Sequence, residues 1–230
     1  EPFNERFNRG LIMGPDGAKM SKSKGNVVNP DEFVRDYGAD AVRLYLAFIG
    51  PYNEPRSYPW SLEGVASMRK FLDRIGRLSE GVKAGDDVSD ALNRAFASAA
   101  AKISDDGDKF KFNTSVAALM ILVNKLEDEE TVSVGALKNL LIMLAPFAPH
   151  LAEHLWEKLG GEGSVHTQSW PAYDASLLAK AEREVVVQVS GKRRGSITVS
   201  EDLSEKDAVA QARAIPAVAA ILGGKDLSRV

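Results

Sequence analysis

The sequence predicts a mainly α protein in three parts: a short loop-bearing segment, an antiparallel helical bundle, and a small α+β unit. Three observations carry this. Apolar residues recur every three or four positions from Trp60 to about Gly160. Two β-branched runs, 185–189 and 196–199, flank a glycine-bounded turn. Before residue 60, glycines and prolines cut the chain into short pieces. The corresponding domains are 1–58, 59–180 and 181–230.

The elements follow in order. Leu11-Ile12-Met13 is a short strand-like run that ends in Gly14-Pro15-Asp16-Gly17, a turn in which proline presets φ and glycine accepts a positive one. A glycine-bounded loop covers 18–28. Asn29-Pro30-Asp31-Glu32 then starts a helix, with Asn as the cap and Pro at the first helical position. Spacing through Phe33 and Tyr37, and after Gly38 through Val42, Tyr45, Leu46 and Ile49, predicts helix up to Gly50-Pro51. Val65, Met68, Leu72, Ile75 and Leu78 form the next apolar stripe, and Leu92, Phe96, Ala99 and Ile103 another.

Asn113 is expected to cap a nearly all-apolar helix over 116–126, of the kind buried at a bundle centre. Leu137, Leu140, Leu141 and Leu144 precede a break at Pro146 and Pro149, and a last helix over 151–159 closes at Gly160-Gly161. Short connections among four or five such helices make a bundle. In the third part, residues 190–195 read as a hairpin turn, Ser204 with Asp207 as a helix cap, and Pro216 as the start of a final helical turn before Gly223-Gly224. A strand-like stretch begins at Asp226. A lone hairpin with one helix is marginal, so the chain is read as truncated there; separately, its opening on Glu1 rather than Met leads to the expectation of a piece of something longer.

Composition bounds the function. At 230 residues, 44% hydrophobic and 27% charged, the chain can bury a core without staples. It has no cysteine, which excludes disulfides, thiolate zinc sites, iron–sulfur clusters and a cysteine nucleophile, and fits a reducing compartment. The longest apolar run, 116–123, is eight residues, far short of the roughly 20 a membrane helix needs. No basic-then-apolar leader opens the sequence as given. The expectation is a cytoplasmic chain without a membrane partner. Net charge is −3, distributed as 0 over 1–60, −4 over 61–180 and +1 over 181–230. Any nucleic-acid contact must therefore come from local basic spots rather than a global field.

The most informative stretch is Lys19-Met20-Ser21-Lys22-Ser23-Lys24-Gly25-Asn26. Three lysines and two hydroxyls sit in a loop bracketed by Gly14, Gly17 and Gly25. Read by composition, it is a solvated basic loop. Read by chemistry, it is an arm of compact cations able to follow a polyphosphate whose charge is moving, and so to lower a barrier rather than only tighten binding. Arg69, Lys70, Arg74 and Arg77 crowd one helix and are candidates for tracking a phosphate backbone, with a solvated face as the plain alternative. Lys192-Arg193-Arg194, expected at a hairpin tip, is the stronger candidate, because adjacent cations at a projecting turn gain from counterion release. Trp60, Trp156 and Trp170 read as core anchors. His150-Leu151-Ala152-Glu153-His154 matches the inverted zinc-peptidase pattern H-x-x-E-H, but no third ligand is evident and Leu151, Leu155 and Leu159 form a packing stripe; no metal site is expected.

The string Lys19-Met20-Ser21-Lys22-Ser23 resembles the K-M-S-K-S signature of class I aminoacyl-tRNA synthetases. The likeness continues through Gly25-Asn26-Val27-Val28-Asn29-Pro30 and Tyr37-Gly38-Ala39-Asp40. It is closest to the bacterial-type leucyl-tRNA synthetase family. Arg43-Leu44-Tyr45, Phe112-Asn113-Thr114-Ser115, Ala145-Pro146-Phe147-Ala148-Pro149-His150 and, most leucyl-specific, residues 185–195 support it. Two departures stand in the hairpin: Ser190 where the family commonly has Asn, and Arg193 where it has an apolar residue.

The resemblance implies that 1–58 is the K-M-S-K-S loop with a stem-contact segment. It implies an anticodon-binding type of bundle over 59–180, and a partial tRNA-binding domain over 181–230. It implies that ATP, with Mg2+, and leucine give leucyl-adenylate and pyrophosphate before the leucyl group passes to tRNA(Leu). Lys22 would stabilise the departing pyrophosphate, while Lys19, Met20, Ser21 and Ser23 shape the ATP-contacting loop. No H-I-G-H string, nucleotide-binding unit or editing insertion is present. The expectation is therefore a C-terminal part that depends on a separate catalytic domain and is inactive by itself; a monomer is also expected. Alternatives are a valine or isoleucine enzyme of the same class, or a non-catalytic RNA-binding module of synthetase origin.

Overall fold

The computed structural model describes residues 10–52, 54, 56–178, 182–189, 192–200 and 205–222. The hairpin turn at Ser190-Gly191, the expected cap at Ser204, the Gly223-Gly224 stop and the strand-like stretch from Asp226 lie outside the described residues. The chain divides into two compact units, one running to Leu177 and the other from Leu178.

In the first unit, strand β1 (Ile12–Met13) pairs in parallel with β2 (Tyr58–Pro59), placing Ile12 opposite Tyr58. Between them lie helices α1 (Pro30–Tyr37) and α2 (Ala39–Phe48). The Asn29 side chain accepts a hydrogen bond from the Asp31 N–H at 3.1 Å, and Pro30 takes the first helical position, as the sequence predicts. The bundle follows: α3 (Leu62–Leu78), α4 (Asp90–Asp108), α5 (Phe112–Glu127), α6 (Val134–Leu144) and α7 (Pro149–Lys158). Ser61, Ser89 and Ser133 cap α3, α4 and α6, each accepting from the backbone N–H three residues on.

The core runs through the bundle. Leu44 of α2, Val65 and Ile75 of α3, Leu119, Leu122 and Leu126 of α5, and Leu137, Leu140, Leu141 and Leu144 of α6 are all buried. Truncating any of these leucines would remove on the order of 3 kcal/mol, because the cavity left behind collapses only in part. Trp60 and Trp156 are buried and Trp170 packs against the same cluster, so all three serve the core. Trp60 stands edge-on to Phe33 and Tyr45 at 4.8 and 5.0 Å between ring centres. The Tyr45 hydroxyl accepts from the Ser61 N–H at 2.7 Å. Together these contacts lock α1 and α2 onto the start of α3.

One expectation needs correcting. Asn113 does not cap α5; the helix begins at Phe112, so Asn113 lies inside it. The junction between α4 and α5 is instead held by bonds to Asp106 near the end of α4. Phe110 adopts a φ of 55°, the Lys111 N–H donates to the Asp106 carbonyl at 2.8 Å, and the Thr114 hydroxyl donates to the Asp106 carboxylate at 2.6 Å. Asp106 is fully buried and also receives the Lys102 ammonium at 2.7 Å. These bonds fix the α4–α5 junction, and α5 starts at Phe112, a turn earlier than its apolar run suggests.

In the second unit, β3 (Glu182–Val189) and β4 (Lys192–Ser200) form an antiparallel hairpin, followed by α8 (Glu205–Ala214) and α9 (Pro216–Leu222), both of which pack against β4. Val218 of α9 is buried there. The strands pair further toward the turn than the sequence suggests. Val189 stands opposite Lys192 and Gln188 opposite Arg193.

Candidate functional site

The lysine loop is a folded turn, built from the residues around it. The Gly14 N–H donates to the Ala18 carbonyl at 2.8 Å and the Gly17 N–H returns to the Gly14 carbonyl at 2.9 Å. Lys22–Lys24 forms one 3-10 turn, which Gly25 ends with a φ of 66°, a left-handed conformation that suits glycine. Asp16 accepts from the Ala18 N–H at 3.0 Å and from the Asn26 amide at 3.1 Å. The Ala18 N–H, the Asn26 amide and the nearby Lys24 charge hold the Asp16 carboxyl below its usual range.

The motif's residues separate by role. Met20 is half-buried and packs against the bundle core, which anchors the loop. The Ser21 and Ser23 hydroxyls share a hydrogen bond of 2.7 Å. Lys19, Lys22 and Lys24 are exposed, and among the described residues none is held in an ion pair. The arrangement therefore offers uncommitted ammonium groups on a turn with an apolar anchor. A phosphate group could be met there without first breaking a protein salt bridge.

The cations on α3 do not share one state. Arg74 Nε donates to Glu127 Oε1 at 2.9 Å, and its other nitrogen reaches Glu127 and Asn124 of α5. That bidentate bond raises the guanidinium's pKa and lowers the carboxyl's. Arg69 donates to Asp73 at 2.9 Å and lies 3.4 Å from the Tyr37 carbonyl. Lys70 and Arg77 are exposed without an ion pair among the described residues. Sequence spacing groups these four residues on one helix, but pairing across helices is invisible to it.

In the second unit, Lys192 and Arg193 are exposed at the start of β4, while Arg194 is half-buried. A register shift between Val187 and Gln188 places Arg194 as the extra residue of a bulge. The basic triplet is thus part of a strand, not of a loop. Paired strand backbone fixes where the exposed cations point better than a free loop would.

The H-x-x-E-H residues have other partners. Helix α7 lacks a local cap, since its preceding residue is Ala148. Asp40 of α2, buried at 7% exposure, accepts from the Leu151 N–H at 2.7 Å and bonds His150 Nδ1 at 2.7 Å. Glu153 Oε2 accepts from the Val165 N–H at 2.9 Å and the Ser164 hydroxyl at 3.0 Å. Among the described residues no three His, Asp or Glu side chains converge into a metal-binding group, and no helix is long and apolar enough to cross a membrane. An open cleft of about 600 Å³ lies beside this cap, lined by Arg69, Arg77, His150, His154 and Lys158 among others. It also holds Asp40, Asp73 and Glu80, so its charge is mixed.

Comparison with known proteins gives the class first. Residues 90–210 match the family described as the anticodon-binding domain of tRNA ligase, and residues 1–56 match class I tRNA synthetases (I, L, M and V). The chain belongs to the tRNA-ligase anticodon-binding family. Among its curated relatives, the leucine–tRNA ligase of Bdellovibrio bacteriovorus is 43% identical over 100% of this chain and 29% of its own length. That of Chloroherpeton thalassium is 41% identical over 99% of the chain and 29% of its own. That of Alkaliphilus oremlandii is 39% identical over 99% and 28%. The agnB2 LeuRS of Agrobacterium radiobacter K84, solved as a ternary complex with tRNA and LeuAMS, superposes with a TM-score of 0.73 at 33% identity, covering 100% of this chain and 32% of that one. The chain spans under a third of the length of the relatives it matches.

Proposed function

We propose that this chain works in the cytoplasm as part of a leucine–tRNA ligase, which joins leucine to tRNA(Leu) while ATP becomes AMP and pyrophosphate. The observation that carries this reading is the 39–43% identity to leucine–tRNA ligases along practically the whole chain, loop, bundle and hairpin together. A likeness limited to the bundle would fit a detached RNA-binding module as well. This one includes the loop with its free lysines.

In this reading Lys22 lies against the triphosphate of ATP. As the α–β phosphate bond breaks, negative charge builds on the departing pyrophosphate, and a compact ammonium group stabilises that charge more than it stabilises bound ATP. Lys19 adds a second positive charge, Met20 holds the loop to the bundle, and the Ser21–Ser23 hydroxyl pair shapes the turn between the lysines. The loop's donor set does not fit Mg2+: it presents ammonium groups, hydroxyls and one carboxylate, Asp16, that Ala18 and Asn26 already engage. Leucine and the adenosine part of ATP are handled by a catalytic domain in the same ligase.

Lys192 and Arg193, with Arg194 in the bulge, contact the tRNA backbone, and the exposed Lys70 and Arg77 add contacts from the bundle; Arg69 and Arg74 contribute less because carboxylates already hold them. Shape and phosphate recognition of this kind is how proteins commonly grip helical RNA. The test is charging by the complete ligase that contains this chain. It should attach leucine to tRNA(Leu) and not attach valine or isoleucine to their own tRNAs. Preferential charging with valine or isoleucine would overturn the assignment.

A further inference from the structure

Asn26 closes the lysine loop. Its Oδ1 accepts from the Ser21 N–H at 2.8 Å, while its Nδ2 donates to both Asp16 carboxylate oxygens at 3.1 Å and to the Lys19 carbonyl at 3.3 Å. The orientation of this amide is determined by its surroundings. Its oxygen faces a donor and its nitrogen faces only acceptors, so turning it over would set oxygen against a carboxylate and a carbonyl. One side chain thereby ties down the backbone at two of the five motif residues, Lys19 and Ser21, which flank Met20 and lead into the turn that carries Lys22.

The packing around Asn26 is close. A Cβ added at Gly14 would lie 2.9 Å from both the Asn26 carbonyl oxygen and its Nδ2, and 2.7 Å from Asp16 Oδ1. Gly14, the first residue of the turn, is buried and leaves the room that the Asp16–Asn26 pair occupies. The turn at 14–17 and the far end of the loop are therefore joined through a carboxylate–amide contact ten residues apart in sequence. None of the lysines takes part in it through its side chain.

We infer that Asn26, held by Asp16, is a positioning residue: it sets the turn that presents Lys22, so that the loop meets its phosphate partner as one folded unit. The inference rests on the proposed role of Lys22 in the ligase. Ordering the loop beforehand removes an entropic cost that would otherwise fall in the transition state. An alanine at 26 leaves every lysine present but loosens the backbone that aims them.

Two measurements test this. Trypsin cuts after lysine, so cleavage after Lys19, Lys22 and Lys24 in the 230-residue chain reports how often the loop opens. Asn26→Ala should speed cleavage there by about tenfold, the effect of losing two or three hydrogen bonds in an exposed turn, with far-UV circular dichroism unchanged. In the complete ligase, Asn26→Ala should lower kcat for leucine-dependent pyrophosphate exchange by about tenfold with KM for leucine unchanged. The exchanged pair, Asp16→Asn with Asn26→Asp, keeps an acceptor for the Ser21 N–H and an amide-to-carboxylate bond between the two positions, so it should recover more activity than either single substitution. Unchanged cleavage, faster cleavage with unchanged kcat, or an exchanged pair no better than the singles would each overturn the inference. Lys22→Ala run alongside separates the two levels: if it too leaves exchange untouched, the functional reading falls and takes the inference with it, whereas a loss with Lys22→Ala but none with Asn26→Ala overturns the positioning role only.

Discussion

Replacing Asp40 by alanine tests how the two ends of the first unit are joined. Asp40 lies in the first turn of α2, yet its carboxylate caps α7, more than a hundred residues later, through the Leu151 N–H at 2.7 Å and His150 Nδ1 at 2.7 Å. Leu151 occupies the third position of α7, where a capping oxygen normally bonds. Loss of such a cap costs about 1 kcal/mol. Leaving a partly buried N–H without its charged acceptor adds about 1–2 kcal/mol. The sum, about 2–3 kcal/mol, corresponds to a drop in Tm of roughly 5–10 °C for a chain of this size. Melting is followed by tryptophan fluorescence, to which Trp156, buried in α7 itself, contributes together with Trp60 and Trp170. Asp40→Asn keeps one acceptor oxygen and should lose about half as much. His150→Ala should lose less still, since that side chain is 73% exposed. A Tm for Asp40→Ala within about 1 °C of the parent protein would refute the cap as a source of stability.

Two further outcomes are expected. Glu127 has its carboxyl lowered chiefly by the Arg74 hydrogen bond, so the pair's stabilisation is fully present above the ordinary glutamate value near 4.3 and is lost as pH falls through the lowered one. Urea unfolding of Glu127→Gln against the parent should show a gap of at most about 1 kcal/mol at pH 7, given that both side chains are roughly a third exposed, and that gap should close in acid. For RNA, replacing Lys192 and Arg193 by serine should weaken tRNA(Leu) binding and flatten its salt dependence by about 0.7–0.9 for each phosphate no longer neutralised. Arg74→Ser, which removes a cation already paired with Glu127, should leave that slope nearly unchanged.

What could be read beforehand was local. The stripe from Val65 to Leu78, the Asn29-Pro30 start of α1 and the proline break between α6 and α7 each follow from neighbours within a turn or two, where side-chain periodicity and capping chemistry act. What escaped was non-local. The β1–β2 pair joins two-residue strands 46 residues apart, too short for any alternation to show. Asp40 caps a helix 111 residues away, and Arg74 is drawn from the α3 surface to Glu127. At α5, Lys111 holds the cap position without a side-chain cap bond, and the nearby Thr114–Asp106 hydrogen bond ties the new helix to the preceding one. In the loop, the lysines stood out by composition, whereas no sequence signal singled out Asn26 for a role of its own. Its hydrogen bonds form only once the chain has folded back on Gly14.

The role given to Lys22 is tested most directly by pyrophosphate exchange in the complete ligase. A contact that forms mainly as charge develops should, on Lys22→Ala, cost about 100-fold or more in kcat while the KM for leucine stays within about threefold. A variant that keeps its kcat, or that loses rate and leucine affinity in equal measure, would contradict it.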